Sequence, residues 1–301
     1  MEIKESDKVR IDETVKKLFG NVGYIIVSRL SGMTNRSYRV DCDDGLEYVV
    51  RLPGEGTEEL IDRRDEKKST MLACKLGIDA DLISFDDDGV KVMRFIPCDC
   101  PMDELTMQKD ENITRAAAVL RKLHRCGEST GVRFDVFEMA KDYENIIRKH
   151  HVNLFDDYAD VRRFVMEIKN QVDMEGEADK VPCHNDVLMG NWLLSRDERL
   201  YLIDWEYAGM NNPMWDIACL SIEADFDDIQ DNKFLFAYLG DEASAYEKKQ
   251  FIAHKLYVDY LWTLWGKTRV PYDATNMENY AELRYRRLKK NIEILRNLII
   301  G

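Results

Sequence analysis

The chain has 301 residues, 45% hydrophobic and 33% charged, with 43 Lys and Arg against 57 Asp and Glu and a formal charge of −14. That composition belongs to one large folded domain or two packed lobes, not to a disordered chain. The acid surplus argues against a broad nucleic-acid or anionic-membrane binder, because those partners attract surplus Lys and Arg, and it suits a small cationic ligand.

The opening MEIKESDKVR is polar and charged, so no secretory signal is expected there. The longest apolar segments, such as residues 256–265, are interrupted by Asp259 and too short for a bilayer. Seven cysteines without a CxxC pair or zinc spacing read as reduced thiols. Together these features point to the cytoplasm.

The first hundred residues read as β-rich. Segments 23–30, 37–42 and 47–52 have strand character, and Asp43, Asp44 and Gly45 turn the chain between the last two. Residues 58–76 read as a helix with Leu60, Met71, Leu72 and Leu76 as its apolar positions. Segments 82–85 and 90–95 flank the turn Asp86-Asp87-Asp88-Gly89 as a second hairpin. Residues 96–101 hold two prolines and end regular structure. This sets a boundary between an N-terminal lobe, 1–96, and a C-terminal lobe, 97–301.

Beyond it the pattern is helical. Ile113, Ala116, Ala117, Leu120, Leu123 and His124 share one face, as do Leu288, Ile292, Leu295 and Ile299. Residues 192–194 and 200–203 read as short strands around Arg196, Asp197 and Glu198. The expected class is α+β: a small β-rich lobe, a hinge, and a larger, mainly helical lobe.

Chemistry is concentrated in His184-Asn185-Asp186-Val187-Leu188-Met189-Gly190-Asn191 and then Leu202-Ile203-Asp204-Trp205-Glu206. The pattern is H-x-D-x-x-x-x-N followed by a strand ending in D-x-E. In phosphoryl transfer, a loop Asp accepts the proton of the attacking hydroxyl, while an Asn five residues later and a further Asp hold Mg²⁺. A loop followed by a hairpin returns the second Asp opposite the first, which lets a metal neutralise charge on the transferring phosphoryl group.

Ser31, Gly32, Met33, Thr34 and Asn35 lie between the first two strands. Small and hydroxylated residues there let backbone N–H groups approach phosphates, although the same residues would serve an ordinary hairpin turn. Arg51, on the third strand, stands where protein kinases carry their nucleotide-binding lysine, and it suits phosphate oxygens. Glu66 is its expected carboxylate partner, with Glu58 and Glu59 as competitors.

With these residues in place the chain resembles the choline/ethanolamine kinase family, within the aminoglycoside-phosphotransferase and protein kinase-like superfamily. The resemblance runs from Leu30 to about Tyr285. Residues 31–35 look like the family's S-G-x-T-N loop, Arg51 its strand-three arginine, 184–191 its H-N-D-x-x-x-x-N loop, and Ile203-Asp204-Trp205-Glu206-Tyr207 its I-D-(F/W)-E-Y segment. The wording of residues 48–54 looks closer to bacterial members. The resemblance implies a two-lobed kinase fold that uses ATP and Mg²⁺. Asp186 would be the base, His184 would orient the loop, Asn191 and Asp204 would hold the metal, and Arg94, Phe95 and Ile96 would receive adenine.

A quaternary ammonium offers no N–H, so its site relies on aromatic faces and nearby negative charge. Trp262 and Trp265 are three apart on a helix, hence on one face, where they would equally serve as core. The family's choline cage has a similar L-W-x-L-W segment and a later tyrosine that Tyr280 resembles. The resemblance thus implies Trp262, Trp265 and Tyr280 as the cage, with Glu223 near the ammonium and Glu206 shaping the site. Segment 221–247 adds eight acidic residues against one lysine, which suits a cation or simply a solvated helix face. Leu188 and Asp228 depart from residues common in eukaryotic members. The expected activity is phosphorylation of the choline hydroxyl. Ethanolamine, thiamine, a methylthio-sugar or an aminoglycoside are rival acceptors, and an inactive kinase-like binding module is the rival of another class.

Overall fold

The third predicted strand alternates Tyr48, Val50 and Leu52 with Val49 and Arg51, and this period of two assigns the faces of the N-terminal sheet. A computed structural model describes residues 3–30, 32, 35–98, 102–174 and 179–300. It begins with α1 (Glu5–Phe19), β1 (Tyr24–Arg29), β2 (Arg36–Cys42), β3 (Glu47–Leu52), α2 (Arg63–Lys75), β4 (Leu82–Phe85) and β5 (Lys91–Arg94). The five strands form one antiparallel sheet in the order β1-β2-β3-β5-β4.

Ile11 and Val15 of α1 pack with Tyr38, Val40, Tyr48, Val50, Leu52 and Val92 on one face of this sheet. The other face carries Arg51 directly across from Lys91. Helix α1 was not among the elements expected from the sequence. Its apolar spacing is Ile11, Val15, Leu18, one turn repeated, but ten of its fifteen residues are charged or polar and hide that stripe.

The helix expected over 58–76 is divided. A single 3₁₀ turn covers Thr57–Glu59, and α2 starts only after Asp62, whose carboxylate accepts the N–H groups of Arg64 and Asp65. Starting there puts Glu66 in the first turn, facing the sheet.

The remaining chain supplies α3 (Glu104–Met107), α4 (Asp110–His124), α5 (Val136–Lys149), α6 (Tyr158–Met174), β6 (Val181–Cys183), β7 (Trp192–Leu194), β8 (Leu200–Leu202), β9 (Gly209–Asn211), α7 (Met214–Glu223), α8 (Asp228–Leu239), α9 (Ala245–Arg269) and α10 (Ala274–Ile300). β7 and β8 form the expected hairpin. β6 pairs with β9, a short pairing the sequence did not announce. Residues 256–269 of α9 are all buried, so this helix is the axis of the helical part. Asp259, which interrupts its apolar run, is ion-paired to Arg287 at 2.6 Å.

Sheet and helices meet at an apolar seam. Ala80, Met93 and Ile96 pack with Leu193, Tyr201 and Ile203, which joins the strand leading out of the sheet to the β7–β8 hairpin. Among the described residues, no helix is long and apolar enough to cross a membrane.

Candidate active site

Strand β6 delivers the chain into the loop 184–191, and a buried carboxylate fixes the start of that loop. The two oxygens of Asp216, in the first turn of α7, accept the backbone N–H groups of His184 and Asn185, both at 2.7 Å. Asn185 adopts a left-handed φ of 66°, a region asparagine tolerates. Its side chain donates to the Tyr207 carbonyl at 3.0 Å and accepts from Asn211 at 2.9 Å. The Trp215 indole N–H donates to the Asn185 carbonyl at 2.9 Å. On the far side of Asp216 stands His124 Nε2 at 3.0 Å, with its other ring nitrogen 2.8 Å from the Tyr238 hydroxyl. His124, Cys183 and Asp216 bring possible ligand atoms within 4.8 Å of one another. Since both Asp216 oxygens already hold backbone N–H groups, this cluster acts as a brace for the loop.

His184 is fully buried, and its hydrogen bonds fix its tautomer. Nδ1 accepts the Asp186 N–H at 3.2 Å, and Nε2 donates to the Ile203 carbonyl at 2.9 Å. One acceptor and one donor describe a neutral ring. Burial lowers its pKa in the same sense, against the opposing charge of Asp216. The ring therefore ties Asp186 to the strand that ends at Asp204.

Asn191 donates from Nδ2 to the Asp186 carbonyl at 2.8 Å and reaches Asp186 Oδ2 at 3.5 Å. Ile203 N–H returns to the Asn191 carbonyl at 2.9 Å, and Asp204 follows with a left-handed φ of 68°. Asp186, Asn191 and Asp204 are thus linked by backbone and side chain within one loop and hairpin. Burial, and then the charges of Asp204, Glu206 and Glu223, push the Asp186 carboxyl well above the usual range, with Arg284 opposing them. Carboxylates whose charges bear on one another in this way suit a hard divalent cation. With its amide nitrogen turned to Asp186, Asn191 has Oδ1 to offer such an ion.

The sheet contributes a buried charge network. Arg51, 4% exposed, places Nη1 2.5 Å from Glu66 and 3.2 Å from Asp204, and Nη2 donates to the Gly89 carbonyl at 3.2 Å. Of the carboxylates considered for Arg51, Glu66 is the one beside it; Glu59 pairs with Lys149 at 2.5 Å. Glu66, 1% exposed, also meets Lys91 at 3.3 Å and Arg63 at 2.7 Å. Burial alone would raise its pKa, but the cations of Arg51, Lys91 and Arg63 hold it at about 2. Glu206 accepts from Asn35 at 2.9 Å and from Arg63 at 3.4 Å. Asn35 also accepts from the Gly54 N–H at 3.3 Å, so the start of β2 is tied to the D-x-E segment. Burial and the adjacent Asp204 raise Glu206, with Arg51 opposing.

Ser31, Met33 and Thr34 lie outside the described residues. A Cβ on Gly32 would stand 3.0 Å from the Asn35 carbonyl oxygen, a tight approach that a larger residue could make only if the backbone gave way slightly. Arg94, Phe95 and Ile96 line a cavity of about 500 Å³ with Asp79, Arg199 and Tyr201; none of Asp186, Asn191 and Asp204 lines it. The Arg39 guanidinium covers the Phe95 ring at 4.5 Å, and that of Arg94 covers Tyr48 at 4.9 Å.

The aromatic residues expected together are together. Trp265 stands edge-on to Trp262 at 6.1 Å and to Tyr280 at 5.5 Å. Both tryptophans are buried and Tyr280 partly so. Gly266 lets α10 come this close: a Cβ there would lie 2.8 Å from the Tyr280 ring. Tyr207, which the sequence places in the I-D-(F/W)-E-Y segment without a role at the acceptor, completes the group. Its ring meets Trp262 at 5.1 Å, and its hydroxyl accepts the Trp265 indole N–H at 2.6 Å. Glu223 pairs with Arg284 at 2.5 Å, and that guanidinium covers Tyr280 at 5.0 Å. The acidic run 221–247 divides. Glu223 joins this group, whereas Asp227 and Glu247 cap α8 and α9, and Asp231 pairs with Lys255 at 2.5 Å.

A two-part fold with a braced H-x-D-x-x-x-x-N loop, an opposed Asp and a buried Arg–Glu pair defines a kinase-like phosphotransferase acting on an alcohol. The choline/ethanolamine kinase family model matches residues 27–289, and the chain belongs to that family. Protein LicA of Haemophilus influenzae is 26% identical over 284 residues, covering 90% of this chain and 80% of that protein. A probable ethanolamine kinase of Arabidopsis thaliana is 25% identical over 328 residues, 96% of this chain and 87% of that one. The crystal structure of choline kinase LicA from Streptococcus pneumoniae superposes with a TM-score of 0.82 at 29% identity, covering 96% of this chain and 99% of that one.

Proposed function

We propose that this protein transfers the γ-phosphoryl group of ATP to the hydroxyl of choline, in the cytoplasm, with Mg²⁺. Asp186 takes the proton of the acceptor hydroxyl as its oxygen attacks phosphorus in line with the departing ADP oxygen. His184 holds the Asp186 backbone in register. Arg51, fixed by Glu66, clamps phosphate oxygens, and Ser31, Gly32, Met33, Thr34 and Asn35 would offer them backbone N–H groups. The hinge at Arg94, Phe95 and Ile96 borders the adenine, so the nucleotide occupies the cleft between lobes 1–96 and 97–301. Asn191 and Asp204 would hold the metal, which supplies charge neutralisation on the phosphates. Trp262, Trp265 and Tyr280 would face the quaternary ammonium, with Glu206 and Glu223 providing negative charge.

The observation that supports this most is that Asp186 answers to both sets of groups. Asn191 bonds it and the charge of Asp204 bears on it, as do the charges of Glu223 and Arg284, which pair beside Tyr280. A short amino alcohol matches that sequence of groups, with its hydroxyl at Asp186 and its nitrogen at the rings. Ethanolamine is the second reading, because a primary ammonium could compete with Arg284 for Glu223, a bond that choline cannot make. ADP release from ATP with Mg²⁺ tests this with choline, ethanolamine, an aminoglycoside and no acceptor side by side. Turnover highest with choline is expected. Turnover only with the aminoglycoside would overturn the acceptor assignment, and none with any of them would overturn the reaction.

A further inference from the structure

Three helices bring charge up to the aromatic group. Arg284 stands one turn after Tyr280 on α10, so the two share a face, and its guanidinium covers the Tyr280 ring at 5.0 Å. Its Nη2 lies 2.5 Å from Oε1 of Glu223, the last residue of α7. Its Nη1 lies 3.4 Å from Asp259, on α9 with Trp262 and Trp265. Arg287 holds Asp259 more closely, at 2.6 and 2.8 Å, so Glu223 is the nearer partner of Arg284. Arg284 is 3% exposed, and the Glu223 oxygen that meets it is itself buried. Two cations thus balance two carboxylates, and a ligand gains Glu223 Oε1 only by displacing the guanidinium.

This placement separates two kinds of amino alcohol. A primary ammonium carries three N–H groups that leave water when it enters among the rings, and each then lacks an acceptor. Aromatic faces attract its charge but replace those hydrogen bonds incompletely. The carboxylate that would bond it is committed to Arg284. A quaternary ammonium has no N–H to satisfy and loses nothing by that commitment. We infer that Arg284 is a specificity-determining residue: by occupying Glu223 it makes the site favour a quaternary over a primary ammonium. The device works against one acceptor more than it works for the other. It rests on the reading above that the acceptor is a small amino alcohol with its nitrogen at Trp265 and Tyr280.

The test compares choline and ethanolamine kinetics in the wild type, in Arg284→Met, and in Arg284→Met combined with Glu223→Gln. Arg284→Met uncovers the carboxylate while Arg287 still holds Asp259. The ratio of kcat/KM for choline to that for ethanolamine should fall about tenfold, equivalent to about 1.4 kcal/mol, mainly through a lower ethanolamine KM. The double variant has no carboxylate to uncover, and its ratio should return to within about threefold of the wild-type value. Should Arg284→Met not fold, Arg284→Gln removes the charge and keeps a neutral donor for Glu223, and the ratio should fall there by about threefold. An unchanged ratio, or equal losses for both acceptors, would overturn the inference and leave the pair as a bond between α7 and α10. So would a lowered ratio that persists in the double variant, because Glu223 would not be its cause, or a wild type that already prefers ethanolamine. Wild-type turnover of neither acceptor would instead overturn the amino-alcohol reading, and this inference with it.

Discussion

Replacing Glu66 by Gln removes the one carboxylate that three buried or nearly buried cations share. Arg51 and Arg63 sit at 2.5 and 2.7 Å from it and Lys91 at 3.3 Å. Breaking a buried ion pair from one side costs about 3–5 kcal/mol, because the partner charge stays buried. The titration of Glu66 gives an independent figure. Its carboxyl is held at about 2 against an ordinary 4.5, and such a depression contributes about 3 kcal/mol at pH 7. The sign follows from linkage. A depressed carboxyl stabilises the fold above its unfolded pKa, and that stabilisation fades as pH falls from about 4.5 toward 2. Glu66→Gln should therefore lower stability by about 3 kcal/mol at pH 7, a drop in Tm of about 5 °C for a chain of this size. The wild-type advantage should shrink to about 2 kcal/mol by pH 3.5. Urea melts of both proteins across this pH range provide the assay. A gap below about 1 kcal/mol at pH 7, or one that does not narrow with acid, would refute the reasoning.

Asp186→Asn should lower kcat by about 10²–10⁴-fold, the range of a lost general base, while ATP still binds by calorimetry; near wild-type kcat would remove Asp186 from the reaction. Asp216→Asn turns one of two charge-assisted acceptors into an N–H facing a backbone N–H. It should cost about 2–3 kcal/mol in a denaturant melt and lower kcat together with it, and an unaffected kcat would show that the loop does not depend on this brace. Trp265→Ala should raise the choline KM by roughly 3–30-fold with a smaller change for ATP, and an equal rise for both would return Trp265 to a purely structural place.

Much of this site is local in sequence, which is why it could be read there. The loop 184–191 and the hairpin after it are contiguous, and their residue types state their chemistry. The Trp262 and Trp265 pair needs only helical spacing to share a face. What could not be read depends on contacts between distant segments. Asp216 reaches back 31 and 32 residues to the backbone of Asn185 and His184, and backbone hydrogen bonds leave no residue-type signal. Tyr207 bonds Trp265 across 58 residues. Arg284 does announce itself faintly, as a basic residue four positions after Tyr280, but its pairing with Glu223 joins α10 to α7 and needs the fold. In the fold itself, β6 and β9 escaped notice because three residues cannot show a period of two. α2 began later than expected because Asp62, a strong N-cap, stops the helix from extending back to Glu58.

The account stands most directly on what happens to phosphorus. ³¹P NMR of the protein with ATP, Mg²⁺ and choline follows each phosphate as it moves. The γ-phosphate signal should be replaced, one for one with ADP, by a phosphomonoester resonance that coincides with added phosphocholine, and Asp186→Asn should leave the ATP signals unchanged over the same time. Release of inorganic phosphate without a monoester, or ATP left intact by the wild-type protein, would contradict it.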